Sequence, residues 1–269
     1  MTAPDKLFAG SIPQIYDQFL VPLIFAYYAL DLAKRLSKLD PQDVLEIAAG
    51  TGALTRAMAL QLSASAHVVA TDLNQPMIDY AAQRLRDDRV TWGQADALAL
   101  PFEEQSFDVV VCQFGVMFFP DKAQGYRETY RVLRPGGRFL FNIWDQISAN
   151  EFAETVTESL SRLFPDSPPC FLARTPHGYH DVDRISEDLK TTHFKDISVD
   201  IVEGRSTALA PRDVAVAYCQ GTPLRNEIEA RDASRLEDAT EQAAEALANR
   251  FGRGAIEGRI RAFVITAFR

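Results

Sequence analysis

The 269-residue chain has few cysteines and no long apolar run, and both features narrow its class. Its three cysteines, Cys112, Cys170 and Cys219, are widely separated and form no C-x-x-C pair. They predict neither a disulfide framework nor a zinc or other metal site, and they suit a reducing cytoplasm. No segment approaches the roughly 18 to 20 apolar residues that cross a bilayer, and the N-terminus lacks the basic-then-apolar order of a signal peptide. We expect a soluble cytoplasmic protein.

Positive charge is also scarce in this chain. It has 28 Lys and Arg residues against 37 Asp and Glu residues, which gives a formal net charge of −9. Binding to the nucleic-acid backbone needs clustered Lys and Arg, so we expect no nucleic-acid partner. The sequence contains no internal repeat and no low-complexity linker. Its 47% apolar content is sufficient for a sizeable core, as one large domain or one domain with an appended lid.

Between residues 44 and 144, short apolar segments alternate with segments of helical pattern. The pattern predicts strands at 44–47, 67–71, 90–93, 107–112 and 138–143, and helices at 53–61, 75–85 and 122–132. Alternation at this spacing predicts an α/β fold with a parallel, doubly wound sheet. Ligands of such sheets bind outside the carboxyl ends of the strands. The segments that follow each strand are therefore the candidates for a binding site.

The segments on either side of this core have a different pattern. We predict an N-terminal helical cap over residues 1–40, a ligand-binding core over 41–145, and a remainder over 146–269 that completes a single domain. The remainder contains predicted strands 196–203 and 259–268, and two long helices, 212–230 and 233–250, form an insertion between them. We expect the last strand to be antiparallel and the helical insertion to act as a lid over the ligand.

A turn of small residues follows the first strand of the core. Residues 48–52, with the sequence AAGTG, contain no bulky side chain. Gly50 and Gly52 have no Cβ and tolerate unusual dihedral angles, so a ligand can lie directly on the main chain. The helix that begins near Ala53 would direct its N-terminal amides at that ligand. A tight strand–helix turn without a ligand is the alternative, because short glycine patterns are weak signals.

Two aspartates end the next two strands. Asp72 lies 22 residues after Gly50, where a carboxylate can accept hydrogen bonds from both ribose hydroxyls of a nucleoside. A helix N-cap is its alternative and compatible role, because a helix follows. Asp96 follows the third strand and can accept from the exocyclic amine of adenine, while the amide of Ala97 donates to a ring nitrogen. The alternative for Asp96 is a solvated loop carboxylate.

Five motifs in this order resemble the core of the class I S-adenosylmethionine-dependent methyltransferases. They are residues 46–52 (EIAAGTG), 71–77 (TDLNQPM), 94–102 (QADALALPF), 107–113 (FDVVVCQ) and 133–137 (LRPGG). The resemblance covers about 100 of the 269 residues. It is strongest to the branch that contains the ubiquinone and menaquinone biosynthesis methyltransferases, and it implies a Rossmann-like sheet.

The resemblance implies an activity and a set of cofactor-binding residues. The activity is transfer of a methyl group from S-adenosylmethionine to a small organic acceptor, which leaves S-adenosylhomocysteine. The implied cofactor-binding residues are Ala48, Gly50, Asp72, Leu73, Met77, Asp96, Ala97 and Gln113. Among them, the Ala48 region would receive the methionine part, Leu73 and Met77 would flank the adenine, and Gln113 would lie beside the sulfonium. Ala48 replaces the usual first glycine, from which we expect reduced clearance but not lost binding.

The residues that would assist methyl transfer are less apparent. A sulfonium methyl is already activated, but an oxygen or acidic carbon acceptor needs a base to remove a proton. Weak candidates for such a base are His177, His180 and Tyr16. The alternative for the two histidines is a surface loop, and for Tyr16 it is packing on the sheet edge. Oxygen, nitrogen and carbon acceptors remain open, and a homodimer is compatible with the sequence.

Two other functions use similar cofactor-binding patterns. A nicotinamide-dependent dehydrogenase would need G-x-G-x-x-G, but Thr55 stands where the third glycine belongs. The second alternative is a protein that binds S-adenosylmethionine without transferring its methyl group, as a regulator or as a catalyst of a cofactor-assisted rearrangement. That alternative stays open at this point, because a fold does not determine a function.

Overall fold

Seven β-strands form one sheet in the computed structural model, which describes residues 10–269. The strands are β1 (Asp43–Ile47), β2 (His67–Asp72), β3 (Val90–Gln94), β4 (Phe107–Gln113), β5 (Leu133–Trp144), β6 (Lys195–Ala208) and β7 (Ile256–Phe268). Their order across the sheet is β3-β2-β1-β4-β5-β7-β6. The first five strands are parallel, and β7 is antiparallel to both of its neighbours. The predicted fold class is therefore confirmed.

Helices connect and flank these strands. They are α1 (Ile12–Ile15), α2 (Ala26–Ser37), α3 (Ala53–Gln61), α4 (Gln75–Arg84), α5 (Lys122–Val132), α6 (Glu151–Leu163), α7 (Phe171–Arg174), α8 (Val182–Thr191), α9 (Pro211–Gln220), α10 (Leu224–Arg231) and α11 (Leu236–Phe251). Helices α9, α10 and α11 lie between β6 and β7 in the chain, as predicted for the insertion. Within residues 10–269, no helix has both the length and the apolar character that crossing a membrane requires.

The central strands are buried because their side chains are apolar on both faces. Val44 and Leu45 of β1 and Val110 and Val111 of β4 are fully buried. Continuous apolar runs of this kind are typical of parallel strands that helices cover on both sides. Val44 pairs with Val68 on one side and with Val109 on the other. This register places the ends of β1, β2 and β4 at the same edge of the sheet.

Three elements differ clearly from the sequence-based prediction, and one of them is β6, which continues to Ala208 and not only to 203. Strand β5 begins at Leu133 and not at 138, because Leu133 already pairs with Phe107 before a register shift. The turn residues of the LRPGG motif are thus part of the strand, where Gly136 has a φ of +79°. The helix predicted over 212–230 is two helices, since the chain breaks after Gln220 and Pro223 caps the next helix.

The N-terminal cap contains a π-helix, Tyr16–Phe25, between α1 and α2. Pro22 lies inside it and has no N–H to donate, which interrupts α-helical hydrogen bonding. The hydroxyl of Ser206 donates to the carbonyl of Leu23 at 2.7 Å and fastens the cap to β6. The first nine residues of the predicted cap lie outside the described residues, and the division into cap, core and remainder stays a prediction.

Helix α2 offers a direct comparison of a buried and an exposed leucine. Leu32 is fully buried, whereas Leu30 is 54% exposed. We expect Leu32→Ala to lower the free energy of unfolding by about 2–5 kcal/mol, because it removes buried methyl groups and leaves a cavity. Leu30→Ala should change it by less than about 0.5 kcal/mol. Urea denaturation of both variants measures the difference, and equal losses would contradict the described packing of α2.

Candidate active site

One cleft lies at the carboxyl ends of the parallel strands and brings the predicted cofactor residues together. It encloses about 1130 Å³ of space, part of which is open to solvent. All eight predicted cofactor-binding residues line it: Ala48, Gly50, Asp72, Leu73, Met77, Asp96, Ala97 and Gln113. They come from four separate segments of the chain, and the parallel sheet places those segments side by side. Their roles toward a cofactor stay predictions.

The turn after β1 exposes its main chain to the cleft. Gly50 has a φ of +57°, and a Cβ added to it would meet no atom within 4 Å. Gly52 has a φ of +79° and precedes α3, but a Cβ there would lie 2.8 Å from the ring of Trp92. Gly52 is therefore needed for packing beneath the turn, while Gly50 leaves open space above it. A ligand can occupy the volume that a side chain at position 50 would fill.

Ala48 adopts a conformation that favours glycine. Its φ is +56°, which costs an alanine about 1–2 kcal/mol. Across from it lies Gly115, where an added Cβ would approach the Ala48 Cβ to 2.5 Å and the sulfur of Cys112 to 2.6 Å. The methyl group of Ala48 thus occupies room that Gly115 leaves free. The substitution of the usual glycine is accommodated by a second glycine, 67 residues further along the chain.

Asp72 joins the end of β2 to the small-residue turn. Its Oδ2 accepts from the amide of Gly50 at 2.9 Å, and its Oδ1 accepts from the amide of Asn74 at 2.8 Å. Burial raises the pKa of this carboxyl, and the hydrogen bonds from Asn74 and Gly50 oppose that rise. Asn74 is the N-cap residue of α4, so Asp72 does not hold the predicted N-cap position. Its Oδ1 also accepts from Nδ2 of Asn74 at 3.3 Å, so the remaining acceptor capacity is on Oδ2.

The loop after β3 and the end of β4 complete this half of the cleft. Asp96 is exposed at the cleft, and its Oδ1 accepts from the amide of Leu98 at 2.9 Å. Gln113 donates from Nε2 to the carbonyl of Phe25 at 2.9 Å. Phe25 ends the π-helix of the cap. Gln113 therefore connects the sheet to the cap at the position where the resemblance places the sulfonium.

The other half of the cleft is apolar and largely aromatic. Most of its residues were not predicted from the sequence. Phe114 and Trp144 stack with ring centroids 3.8 Å apart and planes 8° apart. Phe114 has a φ of +50°, and its amide donates to the side chain of Asn142 at 2.9 Å. The other lining residues of this half include Leu20, Ile24, Phe25, Phe118, Phe119, Phe171, Leu172, Pro176 and Tyr218.

Several lining residues of this half lie in the turn after β4 and in the break between α9 and α10. Phe118 and Phe119 line the cleft, while Met117 beside them is buried and is not among the lining residues. The break between α9 and α10 contributes Thr222 and Pro223 to the cleft. A cluster of aromatic residues after β4 was the available signal, but periodicity does not tell a cleft wall from a packed core.

The three candidate bases have different positions. Tyr16 lines the cleft, but burial, with Asp72 and Asp17 nearby, raises the pKa of its hydroxyl and keeps it protonated. The raised pKa disfavours a phenolate base at this position, and the role of Tyr16 stays a prediction. His177 lines the cleft as well. His180 is not a lining residue; its Nδ1 donates to the carbonyl of His177 at 2.7 Å.

Glu46, which lies in the first motif, is a buried acid beneath the turn. The hydroxyl of Thr55 donates to its Oε2 at 2.6 Å, and its Oε1 has no partner within residues 10–269. Burial raises the pKa of Glu46 to about 8, and the charge of Asp72 adds to that rise. The hydrogen bond from Thr55 and the charge of Arg56 oppose it. Glu46 is therefore mostly protonated at neutral pH.

The raised pKa of Glu46 predicts a pH-dependent stability. Between pH 4.5 and about 8 the folded chain keeps a proton that the unfolded chain has lost. The contribution of Glu46 to the free energy of unfolding is therefore fully present below that range and is lost as the pH rises through it. Glu46→Gln removes this titration, so the free energy of unfolding of the wild type should fall relative to the variant across the range. Urea denaturation at several pH values measures this, and parallel curves would contradict the raised pKa.

Comparison with known proteins agrees with this architecture. The methyltransferase domain family matches residues 45–141. Demethylmenaquinone methyltransferase of Lactobacillus johnsonii is 32% identical over 168 residues, which cover 58% of this chain and 68% of that protein. The ubiquinone/menaquinone biosynthesis C-methyltransferase of Idiomarina loihiensis is 37% identical over 125 residues. This match covers 45% of the chain and spans about half, 47%, of that relative's length.

A solved structure extends the similarity of fold over nearly the whole chain. Phosphoethanolamine N-methyltransferase 2 of Haemonchus contortus, in complex with S-adenosyl-L-methionine, superposes with a TM-score of 0.59 at 19% identity. It covers 96% of this chain, and the match covers 56% of that protein. At this identity the likeness shows the fold alone. Together with this fold, the sequence relatives and the five ordered motifs show that the chain belongs to the class I S-adenosylmethionine-dependent methyltransferases.

Proposed function

We propose that the cleft binds S-adenosylmethionine in its polar half and a planar, largely apolar organic acceptor in its aromatic half. The observation that carries this proposal is the convergence of Asp72, Asp96 and the small-residue turn in a single cleft that the Phe114–Trp144 stack also lines. Polar groups for a nucleoside and aromatic faces for a second molecule thus border the same space.

The polar half fits the cofactor chemically. Asp72 has acceptor capacity left on Oδ2 for a ribose hydroxyl, and Asp96 is exposed to the cleft for the adenine amine. Leu73 and Met77 supply apolar contacts for the adenine ring. The open space above Gly50 leaves room for the methionine part against the main chain. When bound, S-adenosylmethionine supplies a methyl group that is already activated by its sulfonium.

The aromatic half supports the proposed class of acceptor. Two of the relatives are named for demethylmenaquinone and for ubiquinone and menaquinone biosynthesis, and a planar acceptor of that general type suits stacked aromatic walls. The contribution of the chain is to exclude water and to hold the acceptor atom about 3 Å from the methyl carbon. Aromatic rings beside the sulfonium would also stabilise its positive charge, because the face of an aromatic ring attracts cations. No feature of residues 10–269 favours binding without methyl transfer.

A homodimer and a cytoplasmic location stay predictions. So does the choice of a small molecule over a nucleic acid as the acceptor, which the net charge of −9 supports.

Replacement of Asp72 tests the placement of the ribose. Asp72→Asn should weaken the binding of S-adenosylhomocysteine about 10- to 100-fold, because hydrogen bonds to a charged acceptor contribute about 1.5–3 kcal/mol. Asparagine keeps one acceptor oxygen for the turn, so we expect the fold to persist. Isothermal titration calorimetry gives the affinity, and the exposed Asp79→Asn on α4 is the matched control. An unchanged affinity in Asp72→Asn would place the ribose elsewhere.

Turnover tests the proposed reaction. We expect incubation with methyl-labelled S-adenosylmethionine and a panel of phenols, naphthols and quinols to yield a labelled product and an equal amount of S-adenosylhomocysteine. Asp72→Asn should lower the rate at a subsaturating donor concentration. Mass spectrometry identifies the product. Binding of the donor without any product across the panel would support the alternative of a non-transferring binding protein.

A further inference from the structure

His177 presents an unpaired ring nitrogen in the wall of the aromatic half. Its side chain is only 6% exposed and lines the cleft, with its ring centroid 6.0 Å from that of Trp144. The nearby wall consists of Phe171, Leu172 and Pro176, which are apolar. A polar atom in such a wall can determine how a ligand is oriented.

The hydrogen bond of His177 determines which ring nitrogen carries the proton. Nδ1 lies 2.8 Å from the carbonyl oxygen of Asp145. A carbonyl only accepts hydrogen bonds, so Nδ1 is the protonated nitrogen and the neutral ring has its lone pair on Nε2. Within residues 10–269, no hydrogen bond involves Nε2, and it is not among the unpaired polar atoms that are fully buried. Nε2 therefore keeps some accessible surface on a side chain that lines the cleft.

Other polar side chains of this half have different hydrogen-bonding capacity. The hydroxyl of Thr222 donates to the carbonyl of Tyr218 at 2.7 Å and accepts from the amide of Leu224 at 3.1 Å. The hydroxyls of Tyr16 and Tyr218 remain protonated, because burial raises the pKa of both. They can donate as well as accept, whereas Nε2 of neutral His177 can only accept.

We propose that His177 is a specificity residue whose Nε2 accepts a hydrogen bond from a hydroxyl group on an aromatic acceptor. The inference rests on the proposed function, since it narrows the acceptor to hydroxylated aromatic rings such as phenols, naphthols and quinols. A methyl acceptor that has no hydrogen-bond donor at this position would leave Nε2 unpaired in an apolar wall. The missing hydrogen bond would weaken the binding of that molecule.

His177 acts in this proposal by orienting the acceptor and not by holding a proton. Burial lowers the pKa of its imidazole to about 4, with the charge of His180 in the same direction, while the bond to Asp145 opposes the shift. The ring is therefore neutral at physiological pH and a weak base. The role of general base predicted for His177 from sequence is replaced here by that of a hydrogen-bond acceptor.

Binding of two matched probes tests the inference without turnover. We expect the wild type to bind 2-naphthol about 3- to 10-fold more tightly than 2-methoxynaphthalene, which has a similar ring system but no O–H donor. His177→Leu should reduce this ratio to about one, and His177→Gln should keep part of it because glutamine retains an acceptor oxygen. Calorimetric titrations with and without saturating S-adenosylhomocysteine measure the ratio, and thermal unfolding checks that each variant folds.

A second histidine of the same loop provides the control. His180→Gln should leave the probe ratio unchanged, since His180 does not line the cleft. Equal affinities for the two probes in the wild type, a preference that persists in His177→Leu, or no binding of either probe would each overturn the inference. A failure of the proposed function is distinguishable, because it would be seen as absent S-adenosylhomocysteine binding or absent methyl transfer, while the probe ratio is measured independently.

Discussion

The hydrogen bond between the amide of Gly50 and the carboxylate of Asp72 is the interaction on which the polar half of the cleft depends. It joins the turn after β1 to the end of β2, so the main chain of the turn and the predicted ribose-binding group hold one relative position. The second oxygen of Asp72 accepts from Asn74 and orients the start of α4. A single buried carboxylate thus positions three segments. Burial of this carboxylate raises its pKa, although the hydrogen bonds that it accepts oppose the rise.

The turn also shows how the chain tolerates a residue that its conformation disfavours. Ala48 has a positive φ, and its methyl group requires the absence of a side chain at Gly115. Gly115 follows Phe114, which also has a positive φ and stacks on Trp144. The strained ends of β1 and β4 are therefore packed against each other, at the boundary between the polar and the aromatic halves. Strain of this kind is common where a fold presents its main chain to a ligand.

The two halves of the cleft have different origins in the chain. The polar half comes from the segments that follow β1, β2 and β3 and from the end of β4, which the parallel sheet places side by side. The aromatic half combines the cap, the turn after β4, the loop that contains His177, and the break between α9 and α10. The matched family covers residues 45–141, which include the polar half and the turn after β4 but not the cap, the loop that contains His177 or the helical insertion. We therefore expect the parts of the chain outside the shared core to contribute to the choice of acceptor.

The sheet and the polar half could be predicted from the amino-acid sequence, because apolar strands and the turns after them are local patterns, and a parallel sheet brings the carboxyl ends of its strands to one edge. Asp72, Asp96 and the turn at Gly50 could be placed together on that ground alone. The aromatic half, the tautomer of His177 and the pairing of Ala48 with Gly115 became apparent only in the folded chain. Those features depend on contacts between residues far apart in the chain, and hydrophobic periodicity carries no information about which distant surfaces meet.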